Sequence, residues 1–172
     1  NQPLKSGSPT HKISFFFNWL RILTMPLFLS TYQNKIDKKG RVSVPASFRS
    51  ALAGQSFQGV VLFRSTKHPC LEGFDYTTMT DLAARLDQFD LFSDDQDDLA
   101  AAIFGDSVQL AFDADGRIGL PEGLIGHAGL NEEAAFVGLG QKFQIWSPDK
   151  LNMRRNTAFQ NIRDKGLTLP AL

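Results

Sequence analysis

A nine-residue segment occurs twice in the chain, and this repeat restricts the fold more than any other feature. Residues 37–45 read DKKGRVSVP and residues 113–121 read DADGRIGLP, at an offset of 76 residues. The same offset pairs Ile36 with Phe112, Phe48 with Leu124 and Val60-Val61 with Phe136-Val137. An internal duplication of this kind predicts two similar units that bury their apolar faces together.

Each copy has the pattern of two short strands joined by a tight turn. Residues 32–36 and 107–112 alternate in polarity as half-buried strands do. We expect the turn-shaping Asp37 and Asp113 to accept backbone hydrogen bonds, and we expect Gly40 and Gly116 to adopt positive φ. In the second strand Val42 and Val44 share one face and Arg41 and Ser43 the other, which places Arg41, and likewise Arg117, beside the turn.

The rest of each copy predicts a short helix followed by two more strands. Pro45 and Pro121 are suited to begin helices over 46–52 and 122–128, which Gly54 and Gly129 would end. The apolar segments 60–63, 71–74, 135–139 and 143–146 have the length of strands. The predicted unit is therefore strand, turn, strand, short helix, strand, strand.

Helices are predicted after each copy. Met79, Leu82, Leu86 and Phe89 recur at helical spacing. Ser93 is suited to cap a second helix with an acidic first turn, where the helix dipole favours negative charge. Pro148 is suited to begin a basic helix, and residues 166–172 have the composition of a tail.

Charge is distributed unevenly although the formal net charge is zero. Residues 32–49 carry five cations and one carboxylate, a net +4, whereas residues 81–98 carry seven carboxylates and one arginine, a net −6. If the protein binds nucleic acid, only one of its faces can do so.

No pattern of metal, cofactor or redox chemistry occurs in the sequence. Cys70 is the only cysteine, which fits a reducing compartment, and His11, His68 and His127 lie far apart. We therefore expect no metal and no cofactor. The apolar residues near the N-terminus are interrupted by Arg21 and Pro26, which disfavours a membrane span. We expect residues 1–24 not to belong to the working domain.

At this point the chain resembles the MraZ family, whose members carry two SpoVT-AbrB units, each marked by Asp-x-x-Gly-Arg-hydrophobic-x-hydrophobic-Pro. The resemblance covers residues 25 to about 155, including Phe28-Leu29-Ser30, Ala46-Ser47-Phe48-Arg49 and the segment 137–147. It predicts an α+β fold that is mainly β, in which two repeats form a pseudo-symmetric swapped-hairpin barrel with flanking helices. The implied division is unit 1 at 29–76, an acidic helical spacer at 77–104, unit 2 at 105–148 and a C-terminal helix and tail at 149–172.

The resemblance also implies a function. It suggests a cytoplasmic, nucleoid-associated regulator that assembles into a ring and binds repeated double-stranded DNA boxes, repressing the division and cell wall gene cluster. The family's DNA-contacting arginine corresponds to Arg41 and to Arg117. Lys35, Lys38 and Lys39 lie around the first turn, where they can neutralise phosphates, and Arg41 can grip a phosphate or a guanine edge with two hydrogen bonds. Ala114 and Asp115 replace the two turn lysines in the second copy, which predicts asymmetric use of the two turns.

Two other functions are compatible with parts of the sequence. An AbrB-type antitoxin or transition-state regulator would also bind DNA, but such proteins usually carry one unit per chain. An enzyme is the alternative from a different class, because Asp37, Ser43 and His127 could be imagined as a triad. The sequence has no nucleophile elbow, and Gly138-Leu139-Gly140 lacks the third glycine of a dinucleotide loop. We therefore expect no enzymatic activity.

Overall fold

The computed structural model describes residues 25–90 and 93–170, and it has a mixed α+β architecture. The strands are β1 (Thr31–Lys35), β2 (Arg41–Ser43), β3 (Gly59–Arg64), β4 (Leu71–Phe74), β5 (Val108–Ala111), β6 (Arg117–Gly119), β7 (Glu133–Gly138) and β8 (Phe143–Trp146). The helices are α1 (Ala46–Leu52), α2 (Tyr76–Leu86), α3 (Asp94–Ala100), a π-helical turn (Ala101–Gly105), α4 (Glu122–Ala128) and α5 (Pro148–Lys165). The expected extension at 1–24 lies outside the described residues.

Strand pairing joins the two copies of the sequence. Six strands form an antiparallel sheet in the order β1-β7-β8-β4-β3-β5, and β2 pairs with β6 in a separate ribbon. Exchanging β1 with β5, β3 with β7 and β4 with β8 gives the same order read from the other edge. Within the described residues β1 and β5 are edge strands of the large sheet, so hydrogen bonding does not close it into the expected barrel.

The main core lies between the large sheet and the β2–β6 ribbon. Val42 of β2 and Ile118 of β6 are paired in register and are almost completely buried. Phe48 of α1 and Leu124 of α4 pack into the same cluster. Burying these side chains is the main stabilising contribution, at about 1.5–3 kcal/mol each. The ribbon is thereby held rigidly, with its other face directed away from the core.

Helices cover the opposite face of the large sheet in two separate halves. Near β3, α2 and the π-helical turn pack with Met79 and Phe104 against Val61 and Phe63. Near β7, α5 packs with Leu151 against Trp146 and Ala135. In the described residues no helix has the length and apolar content that a membrane crossing requires.

Several predicted helix ends are confirmed and two are wrong. Ser93 caps α3 by accepting a hydrogen bond from the backbone N–H of Gln96, Pro148 lies in the first turn of α5, and Gly129 ends α4 with φ of 64°. However, α1 ends at Leu52 and is followed by a right-handed C-cap at Ala53, so the predicted Gly54 does not form a left-handed cap. The helix predicted through Phe89 ends at Leu86. After α3 the helical backbone widens into the π-helical turn, which the sequence pattern did not indicate.

Candidate nucleic-acid interface

The first turn is organised by the carboxylate of Asp37. Its Oδ1 accepts hydrogen bonds from the backbone N–H groups of Lys39 and Arg41, both at 2.9 Å. Gly40 has φ of 73°, and its N–H donates to the Asp37 carbonyl. The turn-shaping roles predicted for Asp37 and Gly40 therefore correspond to the hydrogen bonds and backbone angles found here.

The same aspartate orients the side chain of Arg41. Nε and Nη2 of Arg41 donate to Oδ2 of Asp37 at 2.8 and 2.7 Å. This contact occupies one edge of the guanidinium, and the side chain remains 38% exposed. Lys38 and Lys39 of the same turn are exposed, and so is Lys35 at the end of β1. An oriented guanidinium loses little side-chain entropy on binding a phosphate or a guanine edge.

The second turn repeats this geometry with an additional carboxylate. Asp113 accepts hydrogen bonds from the backbone N–H groups of Asp115 and Arg117, and Gly116 has φ of 71°. Arg117 donates through Nε to Asp113 at 2.8 Å and through Nη2 to Asp115 at 2.7 Å. Two carboxylates thus hold Arg117, whereas one holds Arg41. Asp115 binds the arginine itself, a contact that the sequence analysis did not anticipate.

The ribbon places both arginines on one face. In the β2–β6 register, Arg41 lies opposite Gly119 and Arg117 lies opposite Ser43, and side chains of paired residues point to the same side of a sheet. With a rise of about 3.3 Å per residue and a strand spacing of about 5 Å, the two arginine Cα atoms are about 8 Å apart. Two turns far apart in sequence therefore present one continuous surface.

Arg49 is a component of this surface that sequence reasoning did not select. Its Nη1 donates to the carbonyl of Val44 at 2.5 Å. A Cβ added to Gly116 would lie 2.6 Å from Nε of Arg49, so α1 places this side chain directly against the second turn. The corresponding neighbour of Gly40 is Ile125, at 3.4 Å from such a Cβ. The signal was available, because the repeat offset pairs Arg49 with Ile125.

Charge differs strongly between the two turns. Residues 37–41 contain three cations and one carboxylate, a net +2, whereas residues 113–117 contain two carboxylates and one cation, a net −1. The nearby Arg49 brings the second turn to about neutral. The surface is consequently basic at one end only, and an approaching polyanion meets attraction mainly at the first turn.

The hydrogen bonds to both aspartates shift their pKa values in the same direction. Bonds from the backbone N–H of Arg41, and then from its guanidinium, lower the pKa of Asp37 to about 2. The backbone N–H of Arg117 is the largest cause of a lowered pKa at Asp113. The pKa of Arg117 is raised, first by Asp113 and to a smaller extent by Asp115 and by Asp37 across the ribbon. Asp37, Asp113 and Arg117 are therefore all held in their charged forms at neutral pH.

Residues 25–90 and 93–170 bring together no group of three His, Cys, Asp or Glu side chains that could hold a metal ion. Asp37 and Ser43, two members of the imagined triad, lie on the ribbon and its turn. His127 instead lies on α4 and lines a cleft with Arg64 and Asp106. Nothing in this placement suggests a nucleophile and its base.

Comparison with known proteins identifies relatives along most of the chain. The family model described as "MraZ protein, putative antitoxin-like" matches residues 27–101 and 103–153. A relative from Gluconobacter oxydans named Transcriptional regulator MraZ is 48% identical over 142 residues, covering 81% of this chain and 87% of the relative. The protein of that name from Gluconacetobacter diazotrophicus is 45% identical over 150 residues, covering 86% and 94%.

A more distant bacterial relative agrees with these two. The Transcriptional regulator MraZ of Rickettsia canadensis is 40% identical over 145 residues, which cover 84% of this chain and 97% of the relative. Both turns, the ribbon and the start of α5 lie within the residues matched by the family model. The chain therefore belongs to the MraZ family.

Proposed function

We propose that this protein is a non-enzymatic, DNA-binding transcriptional regulator that reads double-stranded DNA with the exposed face of the β2–β6 ribbon. The observation that carries the proposal is the first turn, where Asp37 orients Arg41 within a cluster of exposed lysines. The names of the relatives support the regulatory role. We place this activity in the cytoplasm, on the nucleoid.

The two turns have different roles in this proposal. Arg41 keeps a guanidinium edge that Asp37 does not use, and this edge can donate two hydrogen bonds to a guanine or a phosphate. Lys35, Lys38 and Lys39 neutralise phosphates and fix the position of the protein. Arg117 already serves two carboxylates, so its contribution to DNA binding is smaller.

We further propose that two SpoVT-AbrB units form a pseudo-symmetric, barrel-like body and that several chains assemble into a ring. The strand order, which is the same from either edge of the sheet, supports two related units. A ring presents several Arg41 turns at once, and multivalency raises affinity for DNA that carries repeated boxes. Repression of the division and cell wall gene cluster is the regulatory outcome that the family resemblance suggests.

The test is a binding titration with DNA from upstream of the protein's own gene, using a shuffled fragment as competitor. We expect the wild type to prefer the upstream fragment by at least about a thousandfold, as specific DNA-binding proteins do. Arg41→Lys keeps the charge and loses the planar fork, so it should retain binding to shuffled DNA while losing the preference. A wild type that binds both fragments equally would refute sequence-specific regulation.

The description of the family model as antitoxin-like favours a second candidate, a DNA-binding antitoxin. An antitoxin must also hold a toxin protein, and co-expression with the products of neighbouring genes discriminates the two functions. A stable complex whose formation relieves growth inhibition would support the antitoxin. DNA binding in the absence of any such complex supports the regulator.

A further inference from the structure

The sheet half covered by α2 and the π-helical turn carries an open acidic cleft. The cleft has a volume of about 640 Å³, and its lining includes Asp98 of α3, Asp106, Arg64, and the small residues Ala101, Ala102 and Gly105 of the π-helical turn. Arg64 is ion-paired with Asp106, so these three charged residues give the lining a formal net charge of −1. Beside the cleft, α3 carries four carboxylates and no lysine or arginine. Because alanine and glycine have little or no side chain, the cleft has room for a side chain from another molecule.

Two further features of this cleft suggest that another molecule binds over it. His127 lines it, and within the part of the chain that the structure describes Nε2 of His127 is a buried nitrogen without a hydrogen-bond partner. Buried polar atoms are normally paired, so an orphaned one marks a place where a partner is missing. The π-helical turn is a rare backbone form that recurs at functional sites.

The other sheet half carries a helix with the complementary properties. Of the 18 residues of α5, Leu151 is the buried one, while Phe159 is 66% exposed and Ile162 is 46% exposed. Arg163 lies one turn beyond Phe159 on the same face and is exposed. Five cations and two carboxylates give α5 a net +3. Helices gain most of their stability from packing an apolar face, and this face has no cover within the described chain.

We propose that the Phe159–Ile162–Arg163 face of α5 docks against the acidic cleft of a second copy of this chain. The two surfaces carry opposite charge and lie on opposite halves of one sheet face, over β7 and over β3. Contact between two different surfaces is head-to-tail, and it closes into a ring when the rotation between copies permits. The inference deepens the ring assembly of the proposed function, on which it rests, by naming the surfaces that meet.

The charge of α5 also suits DNA, but the apolar residues favour protein. Phe159 and Ile162 stand beside Arg163 on one face, and phosphates offer no apolar surface to cover them. A protein cleft that is lined by alanines and lies beside the carboxylates of α3 supplies both the apolar contact and the opposite charge. Apolar burial supplies affinity, and the charges select the partner surface and its register.

The experiment measures the mass of the full chain in solution by light scattering after size exclusion, at low and at high salt. The variants are Asp98→Lys, Arg163→Glu and the two combined. We expect the wild type to exceed the monomer mass of 19.1 kDa. Each single variant should fall toward that mass, and the combined variant should return to the wild-type mass, because exchanging the two charges restores their attraction.

Two further variants separate the specific contact from general effects. Glu132→Lys reverses an exposed carboxylate elsewhere and should leave the mass unchanged. Phe159→Ser removes the apolar contact without changing charge and should lower the mass. Circular dichroism of each variant establishes that the fold is retained, and the recovery in the combined variant could not arise from misfolding.

The contrary outcomes are distinct. A wild type of monomer mass, single variants that keep the wild-type mass, or a combined variant that fails to recover would each overturn the docking. Loss of binding to a single DNA box by Arg163→Glu at unchanged mass would assign α5 to DNA instead. A wild type that assembles as expected but shows no preference for upstream DNA would refute the proposed function and leave this interface standing.

Discussion

The two turns share one backbone and differ in the charges that they present to solvent. Each has an aspartate that accepts two backbone hydrogen bonds and a glycine with φ near 70°. The first turn adds Lys38 and Lys39, whereas the second adds Ala114 and Asp115. The hydrogen bonds and backbone angles of the two turns agree, whereas the charges at their surfaces differ.

Two turns with the same motif can therefore have different roles. The Asp-x-x-Gly-Arg pattern specifies a turn whose aspartate holds its arginine. Whether that arginine can also bind a ligand depends on residues outside the pattern. In the second turn, Asp115 forms an additional ion pair with Arg117, and Arg49 of α1 lies against the turn. We therefore propose that the first turn contributes most of the DNA binding and the second turn less.

The largest effect is expected when the cations of the first turn are removed together. The variant Lys38→Ala, Lys39→Ala, Arg41→Ala should lose specific and non-specific DNA binding, because each neutralised phosphate contributes about 0.9 to the slope of affinity against salt on logarithmic axes. Fluorescence anisotropy across a salt series measures both quantities. Lys67→Ala, an exposed lysine elsewhere, is the control. A triple variant with the wild-type slope would remove the first turn from the interface.

Converting the second turn to the charge of the first should produce a smaller change in the opposite direction. Ala114→Lys with Asp115→Lys frees Nη2 of Arg117 and adds two cations. We expect tighter binding and a salt slope steeper by up to about 2 units for each converted turn that reaches the DNA. The same anisotropy series measures it. An unchanged affinity would mean that the second turn does not approach the DNA at all.

Replacing Arg49 tests whether its side chain stabilises the second turn. Arg49→Met keeps much of the side-chain volume but loses the hydrogen bond to Val44, and we expect the free energy of unfolding to fall by about 1 kcal/mol. Urea denaturation measures this change. Ile125→Met, at the matching position beneath the first turn, should cost less because it exchanges one apolar side chain for another of similar size. Equal stability of Arg49→Met and wild type would contradict a stabilising role for this side chain.

The smallest effect is expected when the pH is lowered and the free energy of unfolding is measured. The pKa of Asp37 is about 2 in the folded protein and near 4 in the unfolded chain, so the unfolded state takes up the proton first as the pH falls. The stabilisation by this carboxylate is therefore present above about pH 4 and is lost between pH 4 and 2. Asp37→Asn should flatten the dependence of unfolding free energy on pH in that window. A parallel curve for the variant would show that the carboxylate is not held as described.

Local structure was largely predictable from the sequence because it depends on neighbouring residues. The two short helices fall at the predicted bounds, Ser93 caps its helix, and the turns form around Asp37 and Asp113. Alternation along β2 correctly placed Val42 inside. These features follow from proline, glycine, side-chain capping and polarity, which act over a few residues.

Features that depend on tertiary packing were not predictable. The period of a strand shows which residues are buried and not which edges remain open, so the expected barrel closure had no local signal. The π-helical turn at Ala101–Gly105 packs against β3, which lies far from it in the sequence. Arg49 lies against the second turn because β2 of the first copy pairs with β6 of the second copy. The DNA-contacting roles of Arg41 and the lysines remain predictions.

The measurement that tests the account most directly compares Arg41→Ala with Arg117→Ala in parallel titrations of upstream DNA. Both variants remove one arginine from equivalent positions on the same ribbon face, so each controls for the other. The account predicts a loss of about 1–3 kcal/mol per contact for Arg41→Ala and a clearly smaller loss for Arg117→Ala. Equal losses, or a larger loss for Arg117→Ala, would contradict the division of roles between the two turns.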